Sequence, residues 1–535
     1  MRDSIICNGL TSSRSGARYV EVQQNDQFAI VELRLFAGNS GKAIEELAHQ
    51  NIVVIGPERS KKLRQAVEAI SDWSSRDVIE TVGWNGQQFM MPCGKLYSGN
   101  QPEPPTSVQS QPDRCQRKGA GKKWKKLVAR PLVGQDIPTF LICFMFAPLL
   151  LDMSSRNMNI GIVLFGPPGS GKTTLLGIGS SLISAPTHNS GKPYFTSMHT
   201  TINGTEETMR MHKDLPLLAD EANLFMADKN KAQKADAFQT IAFKFAGGVI
   251  KARYGTDTDT TSYRLGLVVT SNEPLASYIG VDSESAKAAS DRIITIPVPT
   301  EPPYVFNFVP DNFKSGRQFA QGLIKAAEEN YGHAMPRFVR ELVRCRQKDE
   351  QKLRLRIESH VERFCKKVSV DNGSGSAYRV AEAFGLVYAA GRLAKDFGIL
   401  PGKMGVMTAA VRCYHLHLQE RAIHIPFKDR LVALTQSDQT VRVNGKGDRG
   451  LVNGKAVVWR MYPGYSEVWI PTATVNQVFP DWPALRKLDV VRALMTMDGN
   501  RISTKKAAGA KGKKIRVYCF RIDDVKHEWM AQPPP

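Results

Sequence analysis

The chain has 535 residues, of which 42% are hydrophobic and 23% charged, the composition of a soluble globular protein rather than a disordered one. Its length exceeds what one core comfortably fills, so roughly two to four domains are expected. Net charge is +21, from 72 basic and 51 acidic residues, which favours an anionic partner such as nucleic acid or a membrane surface.

Cysteines at 7, 93, 115, 143, 345, 365, 413 and 519 form no CxxC pair. The pattern therefore points away from a zinc site or disulfide framework and towards reduced thiols in a cytoplasm. Met1-Arg2-Asp3-Ser4 leads into a polar segment without the apolar run of a signal peptide.

From the N-terminus, Phe28 to Leu35 reads as a strand and Gly41 to Gln50 as a helix. Ile52 to Ile55 reads as a second strand, followed by a helix around Lys61 to Ser71. Trp84 to Phe89 is expected to form a hairpin about Asn85-Gly86. These elements make an α/β domain over 1–100. Asn100 to Asp113 is rich in Pro, Gln and Ser, and Arg114 to Arg130 carries eight Lys or Arg and no acid. Residues 101–134 are accordingly expected to be a basic linker. The apolar stretch Ile137 to Leu151 is shorter than the ~20 residues that span a bilayer, so it reads as a buried helix and no membrane partner is expected.

The block 135–305 alternates helical segments with the apolar runs Ile160 to Phe165, Leu215 to Ala219, Leu265 to Thr270 and Ile293 to Val298. Continuous runs of this kind suit strands buried on both faces of a parallel sheet. Residues 312–420 are helical by period, with stripes at Phe319, Leu323, Ala326 and Tyr331 and at Val380, Phe384, Val387, Ala390 and Phe397. The remainder, 426–535, changes to short strands broken by turn residues, with one helix at Ala484 to Met497 before the strand Arg516 to Ile522.

The chemistry concentrates in the central block. Gly166-Pro167-Pro168-Gly169-Ser170-Gly171-Lys172-Thr173-Thr174 fits the phosphate-binding pattern G-x-x-x-x-G-K-[ST], between an apolar strand and a helix-forming run. Glycines let backbone N–H groups wrap a phosphate chain at a helix N-terminus. Lys172 would reach the β- and γ-phosphates of ATP, and Thr173 would offer its hydroxyl to Mg²⁺. Asp220 and Glu221 end the apolar strand Leu215 to Ala219, with Asp220 standing 48 residues after Lys172. Asp220 suits the hydrated Mg²⁺, and Glu221 suits the general base that polarises the attacking water.

Asn272 follows the third strand, where a polar side chain can orient that water; an ordinary Ser271-Asn272 turn is the bland alternative. Arg292 directly precedes the last strand of the block, where it can serve a neighbouring subunit's γ-phosphate, or merely pair with Asp291.

These elements in this order make the chain resemble the AAA+ superfamily. It is more specifically similar to the helicase-like ATPases of phages and integrative mobile elements, often fused to a primase and catalogued as a domain of unknown function. Segments carrying the resemblance include Gly83-Trp84-Asn85-Gly86 with Phe89 to Pro92, and Thr200-Thr201-Ile202-Asn203-Gly204-Thr205-Glu206. Others are Leu217 to Glu221, Ala381 to Gly391 and Asp396-Phe397-Gly398-Ile399-Leu400-Pro401. Ser271-Asn272-Glu273 stands where the family pattern carries Thr-Gly-Glu.

The resemblance implies an α/β fold: a P-loop AAA+ core with helices on both faces of a parallel sheet, and a helical lid over 306–425. It further implies a homo-oligomeric ring, a hexamer, with a replicative helicase role like that of minichromosome-maintenance helicases and a primase or replication-initiation partner. Arg379 and Arg392 are alternatives for the lid's second sensor.

In such a ring, a hairpin at Gly247 to Gly255 would point Lys251 and Arg253 at single-stranded or forked DNA, although a merely solvated hairpin fits as well. The C-terminal helix, basic turn and strand look like a winged helix. Arg501 to Arg516 carries seven basic residues and no acid, so Lys511, Lys513 and Lys514 are candidate phosphate contacts; a solvated loop is the alternative.

Overall fold

The computed structural model describes residues 5–38, 40–99, 106–107, 112–156, 158–197, 208–209, 211–221, 245, 248, 263–274, 293–370, 375–424, 427–437, 440–444, 457–462, 465–479, 482, 486, 491, 494–495, 503–506 and 514–523. It is a mixed α/β protein whose contacts separate two compact units, 1–418 and 419–535.

The first unit begins with a four-stranded sheet of order β3-β2-β1-β4. Its strands are β1 (Ile5–Ser12), β2 (Arg18–Gln24), β3 (Gln27–Glu32) and β4 (Trp73–Arg76), with β4 parallel to β1. Helices α1 (Gly41–His49) and α2 (Pro57–Glu68) cover it, burying Leu47 and Leu63 against Val20, Val22 and Val31. The strand expected at Ile52 to Ile55 is instead irregular chain. Ile52 and Val54 point into the core, but the Gln24 side chain both accepts from Val53 N and donates to Val53 O, so the backbone needs no strand partner.

Short strands β5 (Val78–Ile79) and β9 (Thr106–Ser107) pair in parallel, and β6 (Gly83–Asn85), β7 (Gln88–Met90) and β8 (Leu96–Tyr97) form a meander. The expected hairpin is there, with Trp84 opposite Phe89. This meander is fastened to the larger core by charge and shape. Trp84 N–H donates to the buried Asp214 carboxylate at 2.9 Å, its indole N–H donates to Leu149 O at 2.9 Å, and the Arg346 guanidinium lies 4.5 Å over its ring. Gly83 has φ +90°, and a Cβ there would sit 2.6 Å from an Asp214 oxygen, so both conformation and space require glycine.

Residues 121–134 do not behave as a linker. Helix α3 (Gly121–Trp124) and the turn Lys125–Ala129 bury Trp124, Val128 and Ala129 in the main core, while Lys122, Lys123, Lys126 and Arg130 are exposed. An amphipathic helical turn gives the same basic composition as a solvated linker. Helix α4 (Asp136–Phe146) and the tighter turns Ala147–Met153 follow, buried along nearly their whole length. Among the described residues this is the one helical stretch long and apolar enough to cross a membrane, and 89% of it is packed inside the protein.

The central sheet is fully parallel, of order β11-β12-β13-β10-β14. Its strands are β10 (Ile160–Phe165), β11 (Phe195–Ser197), β12 (Pro216–Asp220), β13 (Gly266–Ser271) and β14 (Ile293–Pro297). The burial of both faces accounts for the continuous apolar runs. Helices Gly316–Glu329, Ala334–Lys348, Glu350–Lys367, Ser376–Asp396 and Val406–His424 follow. Both helical stripes are core: Phe319 and Leu323 in one, Val380, Phe384, Val387 and Ala390 in the other.

The second unit holds the helix Phe427–Thr435 and a sheet of order β15-β16-β17-β19-β18. These strands are β15 (Thr440–Asn444), β16 (Val457–Tyr462), β17 (Tyr465–Pro471), β18 (Ser503–Lys506) and β19 (Lys514–Asp523). Phe427, Trp459, Phe479, Trp482 and Phe520 form its core. The helix expected at Ala484 to Met497 lies largely outside the described residues.

Candidate nucleotide-binding site

A parallel sheet brings the C-terminal ends of all its strands to one edge. Here that edge collects Phe165, Asp220 and Ser271. The loop 166–171 leaves β10 and enters helix α5 (Lys172–Ser180). Gly171 is the N-cap, with φ +93°, and a Cβ on it would come within 2.7 Å of a Val305 methyl group. The first backbone N–H groups of α5 have no partner within the helix, an arrangement that can accept an anion.

Lys172 is only 8% exposed and folds back over its own loop. Its Nζ donates to Gly166 O at 2.7 Å and Pro167 O at 2.9 Å. Burial pulls the ammonium below the ordinary lysine range, and the charge of Asp220 opposes that shift.

Thr173 Oγ1 donates to Asp220 Oδ2 at 3.1 Å, joining the end of β12 to the start of α5. Two oxygens so placed, one hydroxyl and one carboxylate, are the hard donors that Mg²⁺ takes alongside water and phosphate. The residues therefore fit Mg²⁺.

Beside them stands a residue that the sequence reading left as the plain end of a strand. Thr270 lies on β13, between β10 and β12, and its hydroxyl donates a short hydrogen bond to Asp220 Oδ1. The Thr270 hydroxyl oxygen in turn accepts from the Glu221 backbone N–H at 3.0 Å. One buried hydroxyl thus fixes both carboxylate-bearing residues. A polar β-branched residue closing an otherwise apolar strand was the available signal.

Glu221 is exposed and left-handed, with φ +59°. That region costs a side-chain-bearing residue roughly 1 to 2 kcal/mol, so the strain falls on the residue expected to act on water.

Asn272 is exposed, one residue past the point where Ser271 O accepts from Gly166 N at 3.2 Å, which keeps it near the loop. Arg292 lies outside the described residues; β14 starts beside it, with Ile293 paired to Gly161 at the end of the sheet away from the loop. Lys251, Arg253, Lys511 and Lys513 also lie outside the described residues, and Lys514 is described only as the first backbone position of β19.

A cleft of about 840 Å³ opens beside Gly169, Ser170, Gly171 and Thr174, walled by Pro303, Tyr304, Phe306, Arg317 and Lys325 among others. Neither Arg379 nor Arg392 lines it. The Arg379 carbonyl accepts from Arg156, and Arg392 stands 3.8 Å from Asp396 on its own helix. Arg317 and Lys325 share the helix Gly316–Glu329 in a part of the chain with no motif, so spacing alone could not single them out.

The elements described so far define a mixed α/β fold built on a five-stranded parallel sheet, and a solved structure of similar fold agrees with that architecture. A family model described as "Domain of unknown function (DUF927)" matches residues 15–261, a span that includes the phosphate loop and Asp220-Glu221. A solved structure described as "SCCmec type IV Cch - active helicase" is similar in fold, with a TM-score of 0.56 at 13% sequence identity. The likeness covers 97% of this chain and 93% of that one. No curated protein matches the chain in sequence.

Proposed function

We propose that this chain is an ATP hydrolase of the AAA+ type that works as a DNA helicase or translocase in replication of a phage or mobile genetic element. One observation carries the reading: the parallel sheet gathers Lys172, Thr173, Asp220, Thr270 and Glu221 on a single edge. Three features support it further. A strand intervenes between the phosphate-loop strand and the acidic strand. The neighbour aligned over nearly its full length is described as an active helicase. The chain's excess of +21 suits a polyanionic substrate.

In this mechanism the backbone N–H groups of the loop and of α5 seat the β- and γ-phosphates. Lys172 exchanges its two carbonyl acceptors for phosphate oxygens, a trade of neutral for charge-assisted hydrogen bonds. Thr173 and Asp220 would hold Mg²⁺, which when bound neutralises charge on the phosphates. Glu221 accepts the proton of the attacking water, and Asn272 orients that water. Arg292, which precedes β14 in the sequence, acts on a neighbour's nucleotide, which requires a homo-oligomeric ring, six-membered in this reading. Lys251, Arg253 and the trio Lys511, Lys513 and Lys514 are the proposed contacts to single-stranded or forked DNA.

Forked-duplex unwinding tests the whole reading. The purified chain should separate strands with ATP and Mg²⁺, and Lys172→Ala should not. ATP hydrolysis without strand separation or translocation would reduce the protein to an ATP-dependent DNA-binding switch or loader.

The ring can be tested through one residue. An arginine supplied in trans is worth about 10³ to 10⁵ in rate, so Arg292→Ala should bind ATP yet hydrolyse it that much more slowly. Mixed with Lys172→Ala, it should recover partial activity, because some interfaces then pair an intact loop with an intact arginine. No recovery among exchanging subunits would make Arg292 a local structural residue or one that acts in its own subunit.

A further inference from the structure

The basic run Arg114 to Arg130 has no part in the nucleotide site, yet it is built into the fold. Its cations Arg117, Lys122 and Lys125 meet Arg337 and Arg340 around a cavity of about 400 Å³, with Trp124 among its walls. No carboxylate lines this cavity, and among the described residues none of the five cations forms an ion pair.

Gathering five like charges around one hollow is unfavourable unless a counter-charge joins them, because each raises the potential felt by the others. Two of the cations are held in place by backbone carbonyls. Lys125 Nζ donates to Gly398 O at 2.8 Å and Arg337 donates to Phe397 O at 2.9 Å. Burial draws the Lys125 ammonium below its usual range, and the charges of Arg337 and Arg130 push it the same way. Arg117, Lys122 and Arg340 are exposed, and each carries N–H donors.

The cavity is joined to the opposite end of the phosphate-loop helix. The Trp124 indole N–H donates to Ser181 Oγ at 2.9 Å, while Gly332 N and Met335 N donate to Ser181 O and Leu182 O at 2.9 and 3.0 Å. These contacts lie beyond the C-terminal end of α5, about 14 Å from the N-terminus that seats phosphate in the proposed mechanism.

We propose that this cavity binds the phosphate groups of a single-stranded nucleic acid, as a second anion site distinct from the phosphate loop. A strand is favoured over a free anion because the same run carries four further exposed cations, Lys118, Lys123, Lys126 and Arg130, more charge than one small ligand would engage. The choice of nucleic acid rests on the proposed function; the anion site itself rests on the cavity.

The test uses the full chain carrying Arg117→Gln, Lys122→Gln and Arg340→Gln, with circular dichroism and the thermal midpoint reporting its fold. Binding of fluorescent oligothymidylate is measured against salt concentration. Losing three phosphate contacts should reduce the log–log salt slope by roughly 2 units, and Arg340→Gln alone by about 0.7. Charge-conserving Arg340→Lys should keep most of the slope.

An unchanged slope in the folded triple variant overturns the proposal. So does a triple variant in the Lys172→Ala background that loses inorganic tripolyphosphate but retains oligothymidylate, since the cavity would then serve a free anion. A parent chain that hydrolyses ATP but binds no oligothymidylate sinks the helicase reading as well. A parent that unwinds DNA while the triple variant binds it equally well sinks the cavity alone.

Discussion

The two ends of helix α5 carry the two proposed anion seats, and they are of different kinds. At its N-terminus, the loop 166–171 and Lys172 to Thr174 are contiguous, and orphan N–H groups and one lysine supply the positive field. Beyond its C-terminus, the field comes from guanidinium and ammonium groups brought together from residues 117–125 and 337–340. At the first, the lysine is buried while Gly169 and Thr173 are exposed; the second has charged side chains at the surface. The difference suggests a division between chemistry, which needs fixed backbone donors, and grip, which tolerates mobile side chains.

The largest expected effect breaks that comparison at the N-terminal seat. Glu221→Gln removes the proposed base while leaving Lys172, Thr173 and Asp220 in place. Hydrolysis should fall by about 10² to 10⁴ with ATP still bound, measured by single-turnover hydrolysis beside nucleotide affinity. A fully active Glu221→Gln enzyme would remove Glu221 from the chemistry.

A smaller effect is expected from Thr270→Val, which keeps the shape and deletes the hydroxyl shared by Asp220 and Glu221. Groups that orient a metal ligand are worth about 10- to 100-fold. Hydrolysis should drop by about 10-fold, with the half-saturating Mg²⁺ concentration shifted upward. A loss of hydrolysis with unchanged Mg²⁺ dependence would limit Thr270 to holding the Glu221 backbone.

The smallest effect sharpens the link between the two seats. Trp124→Phe removes one buried hydrogen bond to Ser181 and should cost about 1 kcal/mol in chemical denaturation. ATP hydrolysis without nucleic acid should persist, while its stimulation by oligothymidylate should weaken. Equal stimulation in the variant would make the two ends independent.

Legibility in the sequence followed the same division. Lys172, Thr173, Asp220 and Glu221 could be singled out because a phosphate loop and an acidic strand end are local patterns, and four of the five central strands showed themselves as apolar runs. Thr270 was passed over because its importance comes from register: β13 pairs Val269 with Ala219 on one side and Thr270 with Leu164 on the other. The cavity was invisible because Arg337 and Arg340 lie more than 200 positions from Arg117, and only packing unites them. β1 and β2 were missed for a different reason. Strands with one half-exposed face, such as Ile5–Ser12, carry a weak hydrophobic alternation that reads as polar chain.

The left-handed backbone of Glu221 bears on how this protein would evolve in the laboratory. Asparagine or glycine occupies that conformation more readily than glutamate. A library of variants screened only for resistance to heat should therefore accumulate Asn or Gly at position 221 and lose turnover as it gains robustness. Screening on hydrolysis alone should hold the glutamate. A parting of the two selections at position 221 would tie the left-handed backbone there to the proposed reaction.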